Sequence, residues 1–374
     1  MVRREVLRQQ AQQRASVMVD RLFELVTCES PSGEVAALER CAGLLAEWGE
    51  AALDRSVRRV VRGNDPHLLW RAPDPAVLLL GHFDTVWPLG TVVDWPMSVA
   101  DGVASGPGVF DMKAGIVQML TAVELLRDRQ RVSVLLTCDE ETGSATSRDL
   151  IEEEARRVGA VLVCEPSADG GAVKVARKGT AGYRLSIVGR AAHAGLEPEL
   201  GVNAGVELAH QVLASQALAA PQAGTSVTPT VLAAGTTTNT VPASAVIHVD
   251  VRSWTGEELD RVDAAIRLVR PRLAGAELTV DGGVNRYPLE RAVALPLLQV
   301  AQDAARDVGL APPDGVSSGG GSDGNITAAL GVATLDGLGA VGGHPHARSE
   351  WVDVNAMPER AALLAALVDR LCSR

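Results

Sequence analysis

Three short apolar runs in this sequence each end in residues able to do chemistry. Ala76 to Leu80 leads into Gly81-His82-Phe83-Asp84-Thr85, Val132 to Cys138 into Asp139-Glu140-Glu141-Thr142-Gly143, and Val161 to Cys164 into Glu165-Pro166. A fourth cluster, Gly108-Val109-Phe110-Asp111-Met112-Lys113, opens a helical stretch. One imidazole and several carboxylates at one sheet edge make a hard nitrogen and oxygen donor set, suited to zinc, cobalt or manganese. A single strand-end carboxylate is more often a helix-dipole partner. Four such termini together point to a metal site.

The spacing within each cluster has its own logic. In His82-x-Asp84 the carboxylate is placed to take the second N–H of a metal-bound imidazole, fixing its tautomer; the alternative is a strand-end histidine with Asp84 capping a turn. Glu140 and Glu141 are adjacent on an irregular turn, so one can ligate while the other faces substrate as general base. Near the C-terminus, His344 and His346 share a glycine-rich loop, and position alone leaves either as a ligand. His193, in Gly189-Arg190-Ala191-Ala192-His193-Ala194-Gly195, is a turn histidine or a stabiliser of a developing oxyanion. Asn239 and Arg252 could bind a carboxylate, although Arg252 could instead pair with Asp250. Ser318 to Asn325, with Gly321 and Ser322, lacks the Gly-Lys-Ser/Thr ending of a phosphate loop. It reads as a tight turn that brings backbone N–H groups to the site.

These residues need elements to hold them. Helical spacing runs from about residue 5 to 50 and fits two helices joined near Ser30-Pro31-Ser32-Gly33. The strand-like runs then alternate with helical stretches at Met112 to Arg127 and Ser144 to Val158, the pattern of an α/β domain with a largely parallel central sheet flanked by helices, whose sites lie beyond the strands' carboxyl ends. Between about 177 and 286 the order becomes βαββαβ: Tyr183 to Val188, Gly201 to Leu213, Val227 to Ala234, Ala245 to Val251, Glu257 to Leu268 and Ala276 to Asp281. That is a ferredoxin-like insert. The expected division is 1–176 and 287–374 for the catalytic domain, with 177–286 inserted. Helical pattern resumes at Leu295 to Val308 and Pro358 to Leu371.

Composition narrows the partners. The 374 residues, 47% hydrophobic, allow a sizeable core, and the formal charge of −11 has the wrong sign for nucleic acid or an anionic membrane. No run approaches about 18 uncharged apolar residues, and the charged N-terminus does not read as a signal peptide. Cytoplasmic location is expected. Five scattered cysteines, Cys28, Cys41, Cys138, Cys164 and Cys372, fit neither a disulfide framework nor a thiolate metal site.

Across nearly the whole chain these motifs resemble, in order, the co-catalytic zinc peptidases: carboxypeptidase G (glutamate carboxypeptidase), aminoacylase-1, acetylornithine deacetylase and succinyl-diaminopimelate desuccinylase. The matching stretches are Gly81 to Val86, Gly106 to Lys113, Asp139 to Ser144, Glu165-Pro166, Arg177-Lys178-Gly179, Gly189 to Gly195, Asp250-Val251-Arg252, Gly321-Ser322-Asp323 and His346 to Val352. The resemblance implies two zinc ions, with cobalt or manganese possible. Asp111 would bridge them, His82 and Glu165 would complete one site, and Glu141 and His346 the other. His346 is chosen over His344 because the family's histidine is followed four residues later by Glu, here Glu350, then by an aromatic residue and Val. Glu140 would be the general base, passing a proton from the attacking water to the leaving amine, and Asp84 would orient His82. The insert would be a lid through which the protein forms a homodimer, with His193 reaching across the dimer to the tetrahedral intermediate. The bond after the bridging aspartate is often cis in the family, which makes Asp111-Met112 a candidate. Two departures stand out: Ala114 where glycine is usual, and His344-Pro345 where small residues are usual, which could bring a third imidazole near the metals.

Phe83 to Pro88 with Gly90-Thr91, and Gly106-Pro107-Gly108, look most like the glutamate-carboxypeptidase branch. The implied substrate is a small amide or dipeptide-like molecule whose amine side is an amino acid with a free carboxylate, held by Arg252 and Asn239. The alternatives are an N-acyl amino acid deacylase or biosynthetic deprotection enzyme with the same machinery, and a non-catalytic metal-dependent binding protein.

Overall fold

Val77–His82 contains no Asp, Glu, Lys or Arg and is buried along its whole length, as befits a strand with parallel neighbours on both sides and helices over both faces. In the computed structural model, which describes residues 2–373, it lies between Val132–Thr137 and Ala160–Val163, parallel to both. Thr334–Leu335 extends the parallel set, and the antiparallel hairpin of Arg58–Arg62 and Asp65–Trp70 completes six strands at the other edge. Successive strand residues point to opposite faces. Val77 and Leu79 join a large core built with Ala15–Thr27, Val35–Leu53, Ala114–Leu125, Arg291–Asp307 and Met357–Cys372. Leu78 and Leu80 join a smaller core with Arg148–Ala155 and Asp323–Ala329. The α/β architecture expected from the alternating runs is what forms.

Several local features differ from the sequence reading, among them the Arg58–Arg62 and Asp65–Trp70 hairpin, where no strand was expected. The N-terminal stretch holds three helices, Val2–Gln12, Ala15–Thr27 and Val35–Leu53. The additional break falls at Gln13-Arg14, where no glycine or proline interrupts the periodicity. A small antiparallel sheet, ordered Gly342–Gly343, Trp351–Asp353, Val103–Ser105 and Ser98–Ala100, was not expected either; strands of two or three residues leave no pattern to read. It makes the histidine loop the tip of a hairpin, with Trp351–Asp353 paired to Val103–Ser105 just before the Asp111 segment. Gly342 is required there, because a Cβ would stand 2.0 Å from the Trp351 carbonyl oxygen.

Arg177–Pro288 together with Gly319–Gly321 forms a second compact unit, and the remaining residues form the first. The second unit follows the βαββαβ order, with an antiparallel sheet ordered Ser226–Ala234, Ser244–Ser253, Gly179–Val188 and Glu277–Arg286. Residues alternate in and out along Ser244–Ser253, and its inward set, including Ile247, Val249 and Val251, packs with Leu259, Val262 and Ile266 of Gly256–Arg267.

Candidate metal centre

Parallel register brings the strand-end residues together. Leu80 is level with Val163, so His82 and Glu165, each two residues further on, emerge side by side. His82 is also level with Thr137, which starts the Glu140-Glu141 turn at the same edge. The Asp111 segment arrives on Val109–Lys113, a helical turn with non-helical backbone at Asp111 and Met112 and a cis bond between them. At Gly115 the following helix passes so near the end of Ala160–Val163 that a Cβ would meet the Cys164 carbonyl oxygen at 2.1 Å. The close approach thus falls at Gly115, beside Ala114.

His82 Nε2 stands 3.2 Å from Asp111 Oδ1 and 3.3 Å from Glu165 Oε1. His346 Nε2 stands 3.4 Å from Asp111 Oδ2 and 3.2 Å from Glu141 Oε1. Donors about 2.1 Å from a tetrahedral ion are about 3.4 Å apart, close to these separations. His82 Nε2, Asp111 Oδ1 and Glu141 Oε1 are moreover buried without a hydrogen-bond partner, which a protein rarely tolerates unless another group completes the site. The donors fit a metal. A Glu140 oxygen also lies within 4.8 Å of donor atoms of His82 and Glu165, so proximity alone does not separate ligand from base. His344 is exposed, and among the described residues it makes no ion pair with this centre.

The charge balance shows the same need. Burial alone would push His82 down, but Asp111, Asp84 and Glu165 outweigh it and hold the imidazole well above its ordinary value. Asp111 and Glu141 lift His346 to about 10. Burial raises the Glu141 carboxyl. Burial would raise Asp111 too, yet His346 and His82 keep it below the usual carboxylate range. Protons on the imidazoles and a bound cation are alternative ways to neutralise one acidic cluster.

Asp84 ties the parts together. It is fully buried, and its carboxylate lies 3.3 Å from His82 Nδ1 while accepting from Ser32 Oγ and from the backbone N–H groups of Glu140 and Glu141. Two further supports were not assigned a role from the sequence. Glu350, fully buried, accepts from Trp87 Nε1 and from the N–H groups of Gly108, Phe110 and Asp111 at 2.8–3.1 Å. Burial pushes it up to about 7 against the pull of those donors. Lys113 is buried with Nζ donating to the Leu25 and Cys28 carbonyls at the C-terminal end of Ala15–Thr27, a favourable place for a cation. In the sequence, Glu350 served only as the spacing mark that selected His346. Lys113 could have been noticed as a lysine heading an otherwise apolar helix.

In the second unit, His193 Nδ1 accepts the backbone N–H groups of Gly195 and Leu196, both at 3.1 Å. That leaves the proton of the neutral ring on Nε2, as a donor. Asn239 is exposed and its carbonyl accepts from Ala194 N–H. Arg252 forks onto Asp250 through Nε and Nη2, its nearest carboxylate, which leaves Nη1 outside the fork. The Gly321 carbonyl accepts from Arg177. Ser322 requires a correction: the expected substrate contact is a buried helix cap, its hydroxyl donating to Asp336 and accepting from Gly324 N–H, with Asn325 completing the capping box.

An imidazole and carboxylate cluster at the carboxyl edge of a mainly parallel sheet, in a chain with an inserted βαββαβ unit, defines a metal-dependent hydrolase of two-unit build. The sequence profile of peptidase family M20/M25/M40 matches residues 78–370, and the chain belongs to this family. Carboxypeptidase G2 of Pseudomonas sp. (strain RS-16) is 30% identical over 98% of this chain and 92% of its own length. A succinyl-diaminopimelate desuccinylase of Alkalilimnicola ehrlichii is 29% identical over 79% of this chain and 84% of its own. Among solved structures, aminopeptidase PepT of Bacillus cereus ATCC 10987 superposes with a TM-score of 0.76 at 23% identity, covering 96% of this chain and 99% of the other. An M20 family metallo-carboxypeptidase of Sulfolobus solfataricus gives 0.75 at 16% identity, covering 96% and 99%. The chain is therefore a hydrolytic enzyme of the metallopeptidase and amidohydrolase kind. No described helix is long and apolar enough to cross a membrane.

Proposed function

We propose that the protein is a two-zinc amidohydrolase of the glutamate-carboxypeptidase type, which cleaves the amide bond joining an acyl group to an amino acid with a free α-carboxylate. One observation carries this reading: the two oxygens of Asp111 face two different imidazoles, Oδ1 toward His82 and Oδ2 toward His346. Asp111 would thus be the shared ligand, with His82 and Glu165 completing one site and Glu141 and His346 the other. The mixed donor set suits zinc and also accepts cobalt or manganese. Metal ions held there supply Lewis acidity and make water acidic near neutral pH.

The chain's own residues do the rest. Glu140, with its backbone held by Asp84, takes a proton from the attacking water and delivers it to the leaving amine. Asp84 keeps Nδ1 of His82 engaged, so that Nε2 is directed to the centre. His193, reaching across the homodimer, would donate through Nε2–H to the oxyanion of the tetrahedral intermediate. Arg252, through Nη1, and Asn239 bind the substrate carboxylate, assisted by the backbone at Gly321. A lid role for the inserted unit and a homodimer through it are supported by its edge strand, Ser226–Ala234, which exposes Val231 and Leu232. The exposed Val206 and Leu213 of Ala204–Gln216 support the same reading. Five free cysteines favour a reducing, cytoplasmic setting.

A screen of the zinc- and cobalt-loaded protein over N-acyl and peptidyl amino acids tests the assignment. Release of an amino acid with a free α-carboxylate is expected; no hydrolysis with either metal would reject it. The likeness to a desuccinylase makes biosynthetic deacylation the second reading, and preferential release from acetyl- or succinyl-amino acids would establish it.

A further inference from the structure

His67 is a fully buried imidazole that the chemistry above leaves without a role. Among the described residues it belongs to no donor cluster able to hold a metal ion. It lies on Asp65–Trp70, which runs antiparallel to Val132–Thr137 with Leu68 level with Leu136. That register sets His67 beside the point where the chain leaves the sheet and enters the Glu140-Glu141 turn.

The ring touches that turn at both ends. Nδ1 stands 3.6 Å from Cys138 Sγ at the entry, and Nε2 stands 3.1 Å from Thr146 Oγ1 at the exit. Thr146 Oγ1 is also 2.8 Å from Asp139 Oδ2 and 2.8 Å from Asp65 Oδ2. A hydroxyl has one proton, and these two carboxylates share it, so Nε2 must be the donor to Thr146. Nδ1 is then an acceptor, and it takes the Cys138 S–H, which burial keeps protonated. Burial also holds His67 below its ordinary value against the pull of Asp139 and Asp65, so the ring is neutral. Donors and acceptors thus agree along the whole chain, from Cys138 to His67, from His67 to Thr146 and from Thr146 to the two carboxylates. Asp139 closes the turn, its carboxylate accepting from Thr146 N–H at 2.7 Å and Ser147 N–H at 3.2 Å and its carbonyl from Ser144 N–H at 2.8 Å.

We propose that His67 is a positioning residue of the hydrolytic reaction: by clasping Cys138 and Thr146 it fixes the aim of Glu140, which lies on the turn between them. The inference rests on the hydrolase reading above, in which Glu140 moves the proton. Asp84 holds the middle of the turn through the N–H groups of Glu140 and Glu141, whereas His67 holds its two ends. A general base must stay within hydrogen-bond reach of the proton it takes, and a displacement of about 1 Å can cost about 10²-fold in rate. A loosened turn shows first at Glu140, because Glu141 is tethered as a ligand in the loaded protein.

The test uses the zinc-loaded full chain and the best substrate of the amide screen. His67→Leu is expected to lower kcat about 10–100-fold, with KM and zinc content within about twofold of wild type. His67→Gln, whose amide N–H stands in for Nε2–H, should recover kcat to within about threefold; His67→Asn, too short to reach Thr146, should not. Thr146→Val should match His67→Leu, and the two together should cost no more than either alone. Should His67→Leu not fold, Thr146→Val carries the same test. Independently of activity, hydrogen exchange in His67→Leu should quicken at residues 140–147 and stay unchanged in Val132–Thr137. Wild-type kcat in His67→Leu would overturn the proposal, and so would a loss of zinc or of Tm that His67→Gln shares in full, since that marks a merely structural residue. Wild-type protein that hydrolyses nothing in the screen would reject the hydrolase reading and the catalytic role with it, and the exchange at 140–147 separates that failure from failure of the clasp.

Discussion

Asp84 receives hydrogen bonds from three donors, among them the backbone N–H of Glu141, and faces the ring nitrogen of His82. Asp84→Asn would turn an amide N–H₂ toward at least one of those donors while preserving volume. The expected result is metal affinity lower by about 10–100-fold, as for other outer partners of ligating histidines, measured by competition with a chromogenic chelator. Wild-type affinity would mean that His82 is oriented by something else. Glu140→Gln probes a different role. It should retain both metal content and Tm while kcat falls about 10²–10⁴-fold, the range of a lost general base; if metal is lost instead, Glu140 is a ligand. The grouping of His82, Glu141 and Glu165 was legible because neighbouring parallel strands deliver their ends to one edge. Ser322 is taken up by a helix cap with Gly324 and Asn325, and its hydroxyl also donates to Asp336 fourteen residues away, a contact that local pattern does not report. His344 and His346 could not be told apart by residue type, since both sit in one loop and both adopt positive φ.

At the scale of elements, the centre depends on holding the Asp111 turn against the histidine hairpin. Glu350 does this with both oxygens, Oε1 taking Phe110 and Asp111 N–H and Oε2 taking Gly108 N–H and Trp87 Nε1. A glutamine there has one acceptor oxygen, so its amide nitrogen must face two donors whichever way it is placed. Leaving two buried donors unsatisfied costs on the order of 2–6 kcal/mol. Glu350→Gln is therefore expected to lower Tm clearly and to weaken metal binding, with Glu350→Asp failing to rescue because it is one methylene short. Wild-type Tm and metal affinity in Glu350→Gln would show the turn to be held by Lys113 and packing alone. Elements of eight or more residues with clear periodicity were readable in advance, including the helices Ala204–Gln216 and Gly256–Arg267 and the four strands of the inserted unit. The strands of two or three residues that carry the His346 hairpin were not, since their stability comes from partners distant in sequence.

At the scale of the whole molecule, the described residues form three cores that share no residues: two on the faces of the central sheet and one in the inserted unit. All five candidate ligands, His82, Asp111, Glu141, Glu165 and His346, belong to the first unit. A ligand stabilises only the cooperative unit that binds it, by an amount that grows with its concentration over Kd. Scanning calorimetry of the loaded protein and of protein stripped by chelator should therefore differ in one transition. The transition of the first unit should fall by several degrees on stripping and recover with zinc, while that of the inserted unit stays within about one degree. Hydrogen exchange would assign them, because faster exchange on stripping should be confined to the strands around Val77–His82 and to the hairpin bearing His346. An equal loss in Ser244–Ser253 would mean that the two units unfold as one and that metal binding stabilises the entire chain.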